Sequence, residues 1–225
     1  MKQVLGCGYL TGLNDMDNNE SEKSVQDRLL DAAEKLFCER GFSATSVRDL
    51  TAAAGCNVAA VNYHFGGKDQ LYLEMFHRQM KIAVRDCVAL IDQVMSGPSP
   101  SVEALIRGWV TPPLKAVEQN DPRGAVMQLM VREFLNKRID PEPIVEEWKE
   151  IFIERMSEAL RELVPGLDIQ KSRLAVFSVD ALMFHPFLFM PIYLDWIEGT
   201  DLEGIIEHIV RFGAAAIRGY QGTGK

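Results

Sequence analysis

The chain has 225 residues, of which 47% are hydrophobic. Such a composition can bury a substantial core in one large domain or two small ones. No run of about 18 uncharged apolar residues occurs, so we expect no transmembrane helix and no membrane partner. The four cysteines show neither Cys-x-x-Cys pairing nor metal-ligand spacing, which favours a reducing cytoplasm over a disulfide scaffold.

The formal net charge of −8 at pH 7 excludes a chain that is basic throughout. Residues 21–85 carry nine basic and eight acidic side chains, whereas residues 86–225 carry fourteen basic and twenty-one acidic ones. The acidity therefore lies in the later part of the chain. A local basic or N–H-rich face within residues 21–85 can still contact phosphates, with modest non-specific binding.

Residues 1–23 are rich in Gly, Asn, Asp and Ser and show no periodicity, which predicts disorder or an over-long gene start with Met16 as the true start. From Ser24 onward, apolar residues follow the spacing of one buried helix face, and Gly41 is a suitable C-terminal stop. The apolar positions are Val25, Leu29, Ala32, Ala33, Leu36 and Phe37. We expect this helix to support a three-helix domain.

Residues 45–68, with the sequence TSVRDLTAAAGCNVAAVNYHFGGK, carry the start and stop signals of two short helices. Ser46 and Asp49 have the spacing of a capping box, and Gly55 is suited to end the helix that they begin. Asn57 can then cap a second helix. Two short helices joined by a tight turn indicate a helix-turn-helix, whose second helix enters the major groove of DNA.

The run from Gly41 to Tyr72, GFSATSVRDLTAAAGCNVAAVNYHFGGKDQLY, resembles the DNA-binding segment of the TetR family of bacterial transcriptional regulators. The resemblance covers about residues 24–72. It implies a ligand-responsive regulator, most simply a repressor that a small apolar or aromatic molecule releases from its operator. Many members have an aromatic residue where Asn62 stands. The Asn-Tyr-His-Phe-Gly segment resembles that of a subgroup linked to control of efflux or drug sensitivity.

The second helix should expose the residues that face away from Val61 and Phe65, which have the spacing of a buried face. We expect exposure at Asn57, Ala59, Ala60 and Asn62. Small side chains there allow the backbone to approach the groove, and Asn62 is the best candidate for reading a base edge.

Contacts to the DNA backbone are expected on both sides of this helix. Arg48 can contact a phosphate or a guanine edge, with a solvated helix arginine as the alternative. The family resemblance implies further backbone contacts from Thr45, Ser46, Tyr63, His64 and Lys68. Phosphate contacts position the helix, whereas base-edge contacts select the sequence.

A long helix is expected over about 69–95, capped by Asp69 and ended by Gly97-Pro98-Ser99-Pro100. Further helical segments are expected at about 101–119, 123–137, 142–164, 170–196 and 201–219. Since no strand pattern or repeat occurs, the predicted fold is all-α. An N-terminal three-helix helix-turn-helix domain over 24–68 should precede a helical ligand-binding and dimerisation domain over 69–220.

The predicted helical domain over 69–220, called the body below, contains many large, adaptable side chains of the kind that line pockets for flat apolar compounds. Plain core packing is the alternative for each of them. The candidate ligand-binding residues of this kind are Trp109, Met130, Phe134, Trp148, Phe152, Phe177 and Phe184. Arg132, Glu133 and Asp180 join them if they are buried, because a buried charge needs a partner or a ligand; otherwise they are surface charges. Pro112-Pro113 should either kink a helix or break it.

The last two helices carry apolar stripes larger than one small body needs, which predicts a dimer surface. The stripes comprise Phe184, Phe187, Leu188, Ile192, Tyr193, Trp196, Ile205, Ile206, Ile209, Val210, Phe212 and Ala214 to Ala216. One recognition helix reads too few base pairs for useful specificity. We therefore expect a homodimer on double-stranded DNA at a palindromic operator.

Two alternatives from other functional classes remain. Glu74-x-x-His77 places two ligands on one helix face, as in helical di-iron enzymes, but no other histidine has a Glu three residues before it. The second alternative is a ligand-binding or interaction protein whose helix-turn-helix is only structural. No nucleophile–base constellation or phosphate-cradling glycine loop is evident, so we expect neither catalysis nor a cofactor.

Overall fold

The structure is a computed structural model that describes residues 23–119, 121–135, 146, 148–196 and 199–220. Within these ranges every regular element is helical, which confirms the predicted all-α fold. The predicted tail at 1–23 lies outside the described residues except for Lys23. No helix of the described part is long and apolar enough to span a membrane.

The N-terminal part contains α1 (Val25–Arg40), α2 (Val47–Ala54), α3 (Ala59–Phe65) and α4 (Lys68–Met95). The body adds α5 (Val102–Glu118), α6 (Pro122–Leu135), a π-helical turn (Lys149–Ile153) that continues into α7 (Glu154–Leu163), α8 (Ile169–Trp196) and α9 (Leu202–Gly219). These bounds lie within a few residues of the predicted segments, except for the predicted start of a helix at 142, which lies outside the described residues.

Local capping explains where the first two helices begin and end. Ser24 Oγ accepts a hydrogen bond from the Asp27 N–H at 3.1 Å. Ser46 and Asp49 form the predicted capping box: Ser46 Oγ accepts from the Asp49 N–H at 3.1 Å, and Asp49 Oδ2 accepts from the Ser46 N–H at 2.8 Å. Gly55 ends α2 in the left-handed conformation at φ 61°, which glycine adopts without a Cβ clash.

The first four helices close around one apolar cluster, the head core. It comprises Leu29, Leu30, Ala32, Ala33, Leu36, Phe37, Leu50, Ala54, Val61, Phe65, Leu71, Tyr72, Met75, Phe76, Met80, Val84, Val126 and Leu129. Because Val126 and Leu129 belong to α6, the body contributes to this core as well. The packing therefore continues past residue 68. The domain boundary at that residue stays a prediction, which rests on the extent of the helix-turn-helix motif in the sequence.

The start of α4 differs from the prediction. The helix begins at Lys68, and Asp69 lies in its first turn instead of capping it. Gly67 precedes the helix at φ 150° and supplies no side-chain cap. The prediction was wrong because the turn is made by glycines whose backbone conformation a Cβ would strain, while the Asp69 carboxylate still suits the positive end of the helix dipole.

The second cluster, the body core, joins α5, the π-helical turn, α7, α8, α9 and the C-terminal half of α4. α5 runs without interruption through Pro112 and Pro113, so the predicted break does not occur there. Val110 and Leu114 on either side of the prolines are completely buried, and this packing holds the helix although each proline removes one backbone hydrogen bond.

α6 connects the two cores. A Cβ added to Gly124 would lie 2.5 Å from the carbonyl carbon of Ala116, so α6 crosses α5 at direct backbone contact. Two residues further along α6, Val126 is buried in the head core, followed by Leu129. A displacement of α5 would therefore be passed to the head through α6.

The prediction that the whole apolar stripe of α9 forms a dimer surface is wrong. Its residues Ile206, Ile209, Val210 and Ala214 are buried in the body core of the same chain. The reason is that α5 and α8 pack on this side: a Cβ on Gly213 would lie 3.1 Å from Ile106 and 3.2 Å from Val179. Ile205 is half-buried against the same core.

The opposite side of α9 faces outward, with Phe212, Ala215 and Ala216 exposed. On α8, Phe184 packs against the body core, whereas Leu174, Phe177 and Phe189 are exposed. The predicted surface residues Phe187, Leu188, Ile192, Tyr193 and Trp196 have side chains that lie outside the described part of the structure.

Candidate nucleic-acid interface

The recognition helix α3 is fixed by two side chains on its inner face. Val61 and Phe65 are both buried in the head core. This confirms the predicted inner face and turns the rest of α3 outward. Asn57, Ala59 and Asn62 are exposed, as predicted, while Ala60 is only half-exposed because it packs against the head core.

Asn57 serves as the structural start of α3. Its Oδ1 accepts a hydrogen bond from the Ala59 N–H at 2.9 Å, and its carbonyl oxygen accepts from the Ala60 N–H at 2.9 Å. The side-chain oxygen is therefore engaged in capping, as the sequence predicted. Asn62 lies more than one turn further along the exposed face, where its amide can reach a base edge.

The C-terminal end of α3 presents two aromatic side chains. Tyr63 is 84% exposed, which is extreme for a tyrosine, and its ring meets His64 edge-on at 4.9 Å between centroids. A hydroxyl and an imidazole held at this end are suited to contact phosphates. Ser46 and Arg48, at the start of α2, are also exposed.

Thr45 and Lys68, two of the predicted backbone contacts, point into the head. Thr45 is only 1% exposed, and its hydroxyl donates to the carbonyls of Gly41 at 2.8 Å and Leu36 at 3.2 Å. This burial contradicts a direct side-chain contact from Thr45. Lys68 Nζ donates to the Phe42 carbonyl at 2.6 Å and lies 4.0 Å from the centroid of the Phe42 ring.

Both residues consequently fix the segment between α1 and α2. The buried threonine hydroxyl donates to backbone carbonyls at the end of α1, and the ammonium gains from the aromatic face beside it. Their contribution to the interface is to position the start of α2, where Ser46 and Arg48 are exposed.

Sequence reasoning missed Val58. This residue precedes the first residue of α3 and is 49% exposed, whereas Val61, one turn later, is buried. An apolar side chain that is left in water at the leading end of a recognition helix is suited to pack against a thymine methyl group. No signal in the sequence marks Val58 as exposed, because it lies three residues before Val61 and seven before Phe65, which is the spacing of the buried face.

The head is tied to α4 by a cluster of polar contacts. Arg78 lies 2.7 Å from Asp31 and 2.9 Å from Glu34, both on α1. Arg28 Nε donates to the Ala54 carbonyl at 2.9 Å and thereby satisfies the end of α2. These contacts fix α1, α2 and the first half of α4 to one another.

Arg132 and Glu133 were candidate ligand residues, and the structure places them at the junction of head and body. With the segment from Arg40 to Ala44 they line a shallow cleft of about 240 Å³. Arg132 is exposed, Glu133 is buried, and Arg132 Nε lies 3.5 Å from Glu133 Oε1. The pair lies against the α1–α2 connection, since a Cβ on Gly41 would be 3.9 Å from Arg132 Nη2.

Three of the candidate aromatic residues meet in the body. Trp109 and Phe152 are buried, with ring centroids 4.9 Å apart, and Trp148 lies 4.1 Å from Phe152. Phe152 belongs to the π-helical turn, a distortion that often accompanies functional sites. Trp148 also packs against both the body core and the head core, so this aromatic cluster adjoins the junction between them.

The other candidates are dispersed. Phe177 is 68% exposed, so it does not line an interior pocket of the single chain, and Phe184 is half-buried against the body core. Asp180 is half-buried on α8. The side chains of Met130 and Phe134 lie outside the described part. Among the described residues, no three His, Cys, Asp or Glu side chains come together as metal ligands.

Comparisons with known proteins agree with the helix-turn-helix geometry. A sequence profile of bacterial regulatory proteins of the tetR family matches residues 29–75. The HTH-type transcriptional repressor Rv3405c of Mycobacterium tuberculosis is 49% identical over 49 residues, which are 22% of this chain and 26% of the repressor. Rv1255c, an uncharacterized HTH-type transcriptional regulator of the same species, is 26% identical over 160 residues, 63% of this chain and 76% of that protein.

The matches of highest identity thus span only about a quarter of the relatives' length. Solved structures extend the likeness in fold to most of the chain. The fatty acid degradation regulator FadR from Bacillus halodurans has a TM-score of 0.61 at 16% identity, over 88% of this chain and 99% of that one. A TetR transcriptional regulator from Legionella pneumophila has a TM-score of 0.60 at 18% identity, over 87% and 98%.

The capping box of α2, the left-handed Gly55 and the outward face of α3 lie within the segment that the profile matches, and the helical body that follows has the fold of solved TetR-family proteins. Residues 29–75 thus match the DNA-binding segment of bacterial regulatory proteins of the tetR family, and most of the chain shares the fold of solved TetR-family regulators.

Proposed function

We propose that this protein is a cytoplasmic, ligand-responsive transcriptional repressor that binds a palindromic operator as a homodimer and leaves it when a small molecule binds the body. The observation that carries the proposal is the outward face of α3, on which Asn62, Tyr63 and His64 are exposed while Val61 and Phe65 hold the helix from behind. An exposed tyrosine with no function in packing is consistent with a surface kept for a partner.

The residues of this face divide into two tasks. Asn62 suits base readout, because a carboxamide can pair with the N6 and N7 edge of adenine in the major groove. Tyr63, His64, Ser46 and Arg48 surround it and suit the flanking phosphates. The near-neutral charge of residues 21–85 supports a modest affinity for random DNA, so that specificity depends on the base contacts.

Exposed apolar side chains support the homodimer. Leu174, Phe177 and Phe189 are exposed on α8 and Phe212 on α9, so that two neighbouring helices present large apolar side chains to water. A second copy of the chain would cover them through a two-fold interface, and the same symmetry would present two α3 helices to a palindromic site.

The proposed release mechanism uses α4 and α6. The body core includes Ile91 of α4, while the Arg78 contacts join the same helix to α1. α6 touches α5 at Gly124 and the head core at Val126. A ligand that favours one arrangement of α4, α5 and α6 would change the separation of the two recognition helices. It acts only through its preference for that arrangement.

The proposal is tested by selecting bound duplexes from random DNA with the purified chain. We expect an inverted repeat. Asn62→Ala should abolish the sequence preference at one position of each half-site, whereas Tyr63→Phe should weaken binding to all sequences alike. Ile151→Ala, which truncates an exposed apolar side chain of the body, is the matched control and should change neither.

Absence of any enriched sequence, with protein shown to be folded and dimeric, would contradict the proposal. It would favour a ligand-binding or interaction protein whose helix-turn-helix is only structural.

A further inference from the structure

Asp180 is a half-buried acid, and no ion pair with it is found among the described residues. It lies on α8 in register with Val176 and Met183, one turn to either side, and both of these are buried in the body core. Its Oδ1 atom is shielded from solvent and accepts no hydrogen bond from the described residues. A desolvated carboxylate in this position costs stability unless something binds it.

Several basic side chains of the surrounding helices pair with other acids. Among the ion pairs of the described residues, none includes Asp180. Arg85 pairs with Asp86, Arg107 with Glu207, Arg155 with Asp92, Arg173 with Glu154 and Arg218 with Glu103. Within the described ranges, these five acids are therefore paired with arginines, whereas Asp180 is not.

The group that the electrostatics place beside this carboxyl is an uncharged thiol. On α4, burial raises the pKa of the Cys87 thiol to about 12, and the charges of Asp86 and Asp180 add to the effect. Burial raises the pKa of Asp180 itself to about 7. The surroundings are otherwise apolar, since Val176, Val179 and Met183 belong to the same core as Trp109 and Phe152.

We propose that Asp180 is the binding point for a positively charged, otherwise apolar effector, of the class of aromatic or alkyl amines. The ammonium group donates hydrogen bonds to the carboxylate and supplies a counter-charge, and its apolar part packs into the body core. This inference rests on the proposed function, because it identifies the chemical class of the molecule that acts on the body. It narrows the small apolar or aromatic molecule expected from the sequence to one that also carries a positive charge.

The test compares two probes of the same shape, 1-naphthylmethylamine and 1-naphthylmethanol, by isothermal titration calorimetry of the full chain at pH 8. At this pH both the carboxylate and the amine are ionised. We expect the amine to bind at least about tenfold more tightly than the alcohol. In Asp180→Asn the two probes should bind within about twofold of each other.

Two further measurements test whether the preference for the amine depends on the Asp180 carboxylate itself. Glu162→Gln removes a charge from an exposed position of α7 and should leave the preference for the amine unchanged. Lowering the pH to 6 should weaken amine binding to the unmodified chain by about tenfold, since Asp180 must then lose a proton to bind, and should not affect Asp180→Asn. Asp180→Ser replaces the asparagine variant if the latter does not fold.

Equal affinity of the unmodified chain for amine and alcohol, or binding of neither, would overturn the inference. So would an amine preference that survives both Asp180 variants. These outcomes leave the proposed function intact if the chain still selects an inverted repeat from random DNA. Failure of that selection would contradict the proposed function, whichever probe binds.

Discussion

Arg78 of α4 lies 2.7 Å from the carboxylate of Asp31 on α1, so the helix that enters the body is fixed to the helix that supports the recognition helix. Arg78 also reaches Glu34 at 2.9 Å, and both of these side chains are less than one-quarter exposed. Partial burial makes such a pair more costly to break than an exposed one, because the remaining charge is left without its partner.

Arg78→Ala should therefore destabilise the chain by about 1–3 kcal/mol and weaken operator binding. Urea unfolding and titration of labelled operator check the two effects. Arg85→Ala is the matched control on the same helix, since the ion pair that Arg85 makes among the described residues is with the adjacent Asp86, and both side chains are exposed. Equal effects of the two substitutions would show that Arg78 has no special part in fixing the head.

Val58 should determine sequence preference at one base pair of each half-site. Val58→Ala should lower operator affinity by about threefold to tenfold, because apolar contact area is lost. Replacing the contacted thymine by deoxyuridine removes only the methyl group, and should weaken the unmodified chain more than the variant. Indifference of the unmodified chain to every thymine-to-uridine exchange would exclude this contact.

Gly124→Ala should destabilise the chain by about 1–3 kcal/mol or more, because the new methyl group would meet the backbone of Ala116 at 2.5 Å. Thermal and urea unfolding measure the loss. Gly219→Ala is the control: no atom lies within 4 Å of its added Cβ, and this exchange should be neutral or slightly stabilising. Similar stability of both variants would mean that α5 and α6 separate easily.

Asp180 should make the ligand-free chain less stable as the pH rises. Its folded pKa of about 7 lies above the ordinary 3.8, so the folded chain holds a proton that the unfolded chain has released between these values. The free energy of unfolding therefore falls as the pH rises from about 3.8 to about 7, by up to about 4 kcal/mol in total. Asp180→Asn should remove this slope and be more stable than the unmodified chain at pH 8.

Unfolding curves at pH 5 and pH 8 test this prediction, with Glu162→Gln as the control for loss of an exposed charge. An Asp180→Asn variant that loses stability at pH 8 would indicate that the carboxylate has a structural partner.

The head could be predicted closely because its signals are local. The capping box of Ser46 and Asp49, the left-handed Gly55 and the inner face at Val61 and Phe65 each depend on residues within one or two turns. The wrong prediction that Asp69 caps α4 also concerns a local feature. Two adjacent glycines make the turn before α4, and no side chain caps the helix.

The body was harder to predict because its features depend on packing between distant helices. An apolar stripe does not reveal whether it faces the same chain or a second copy, and Ile206, Ile209 and Val210 proved to face α5 and α8. Likewise, only the structure shows that Thr45 turns inward while Val58 stays in water. Tertiary context decides these cases, and local propensity does not.

The most direct test of the central claim is the ratio of two affinities at one salt concentration, measured by fluorescence anisotropy. One duplex carries the selected inverted repeat, and the other has the same composition in scrambled order. We expect the unmodified chain to prefer the repeat by about 10³-fold or more, and Asn62→Ala to lose most of that ratio. A ratio near one for the unmodified chain would contradict the assignment of the α3 face as a sequence reader.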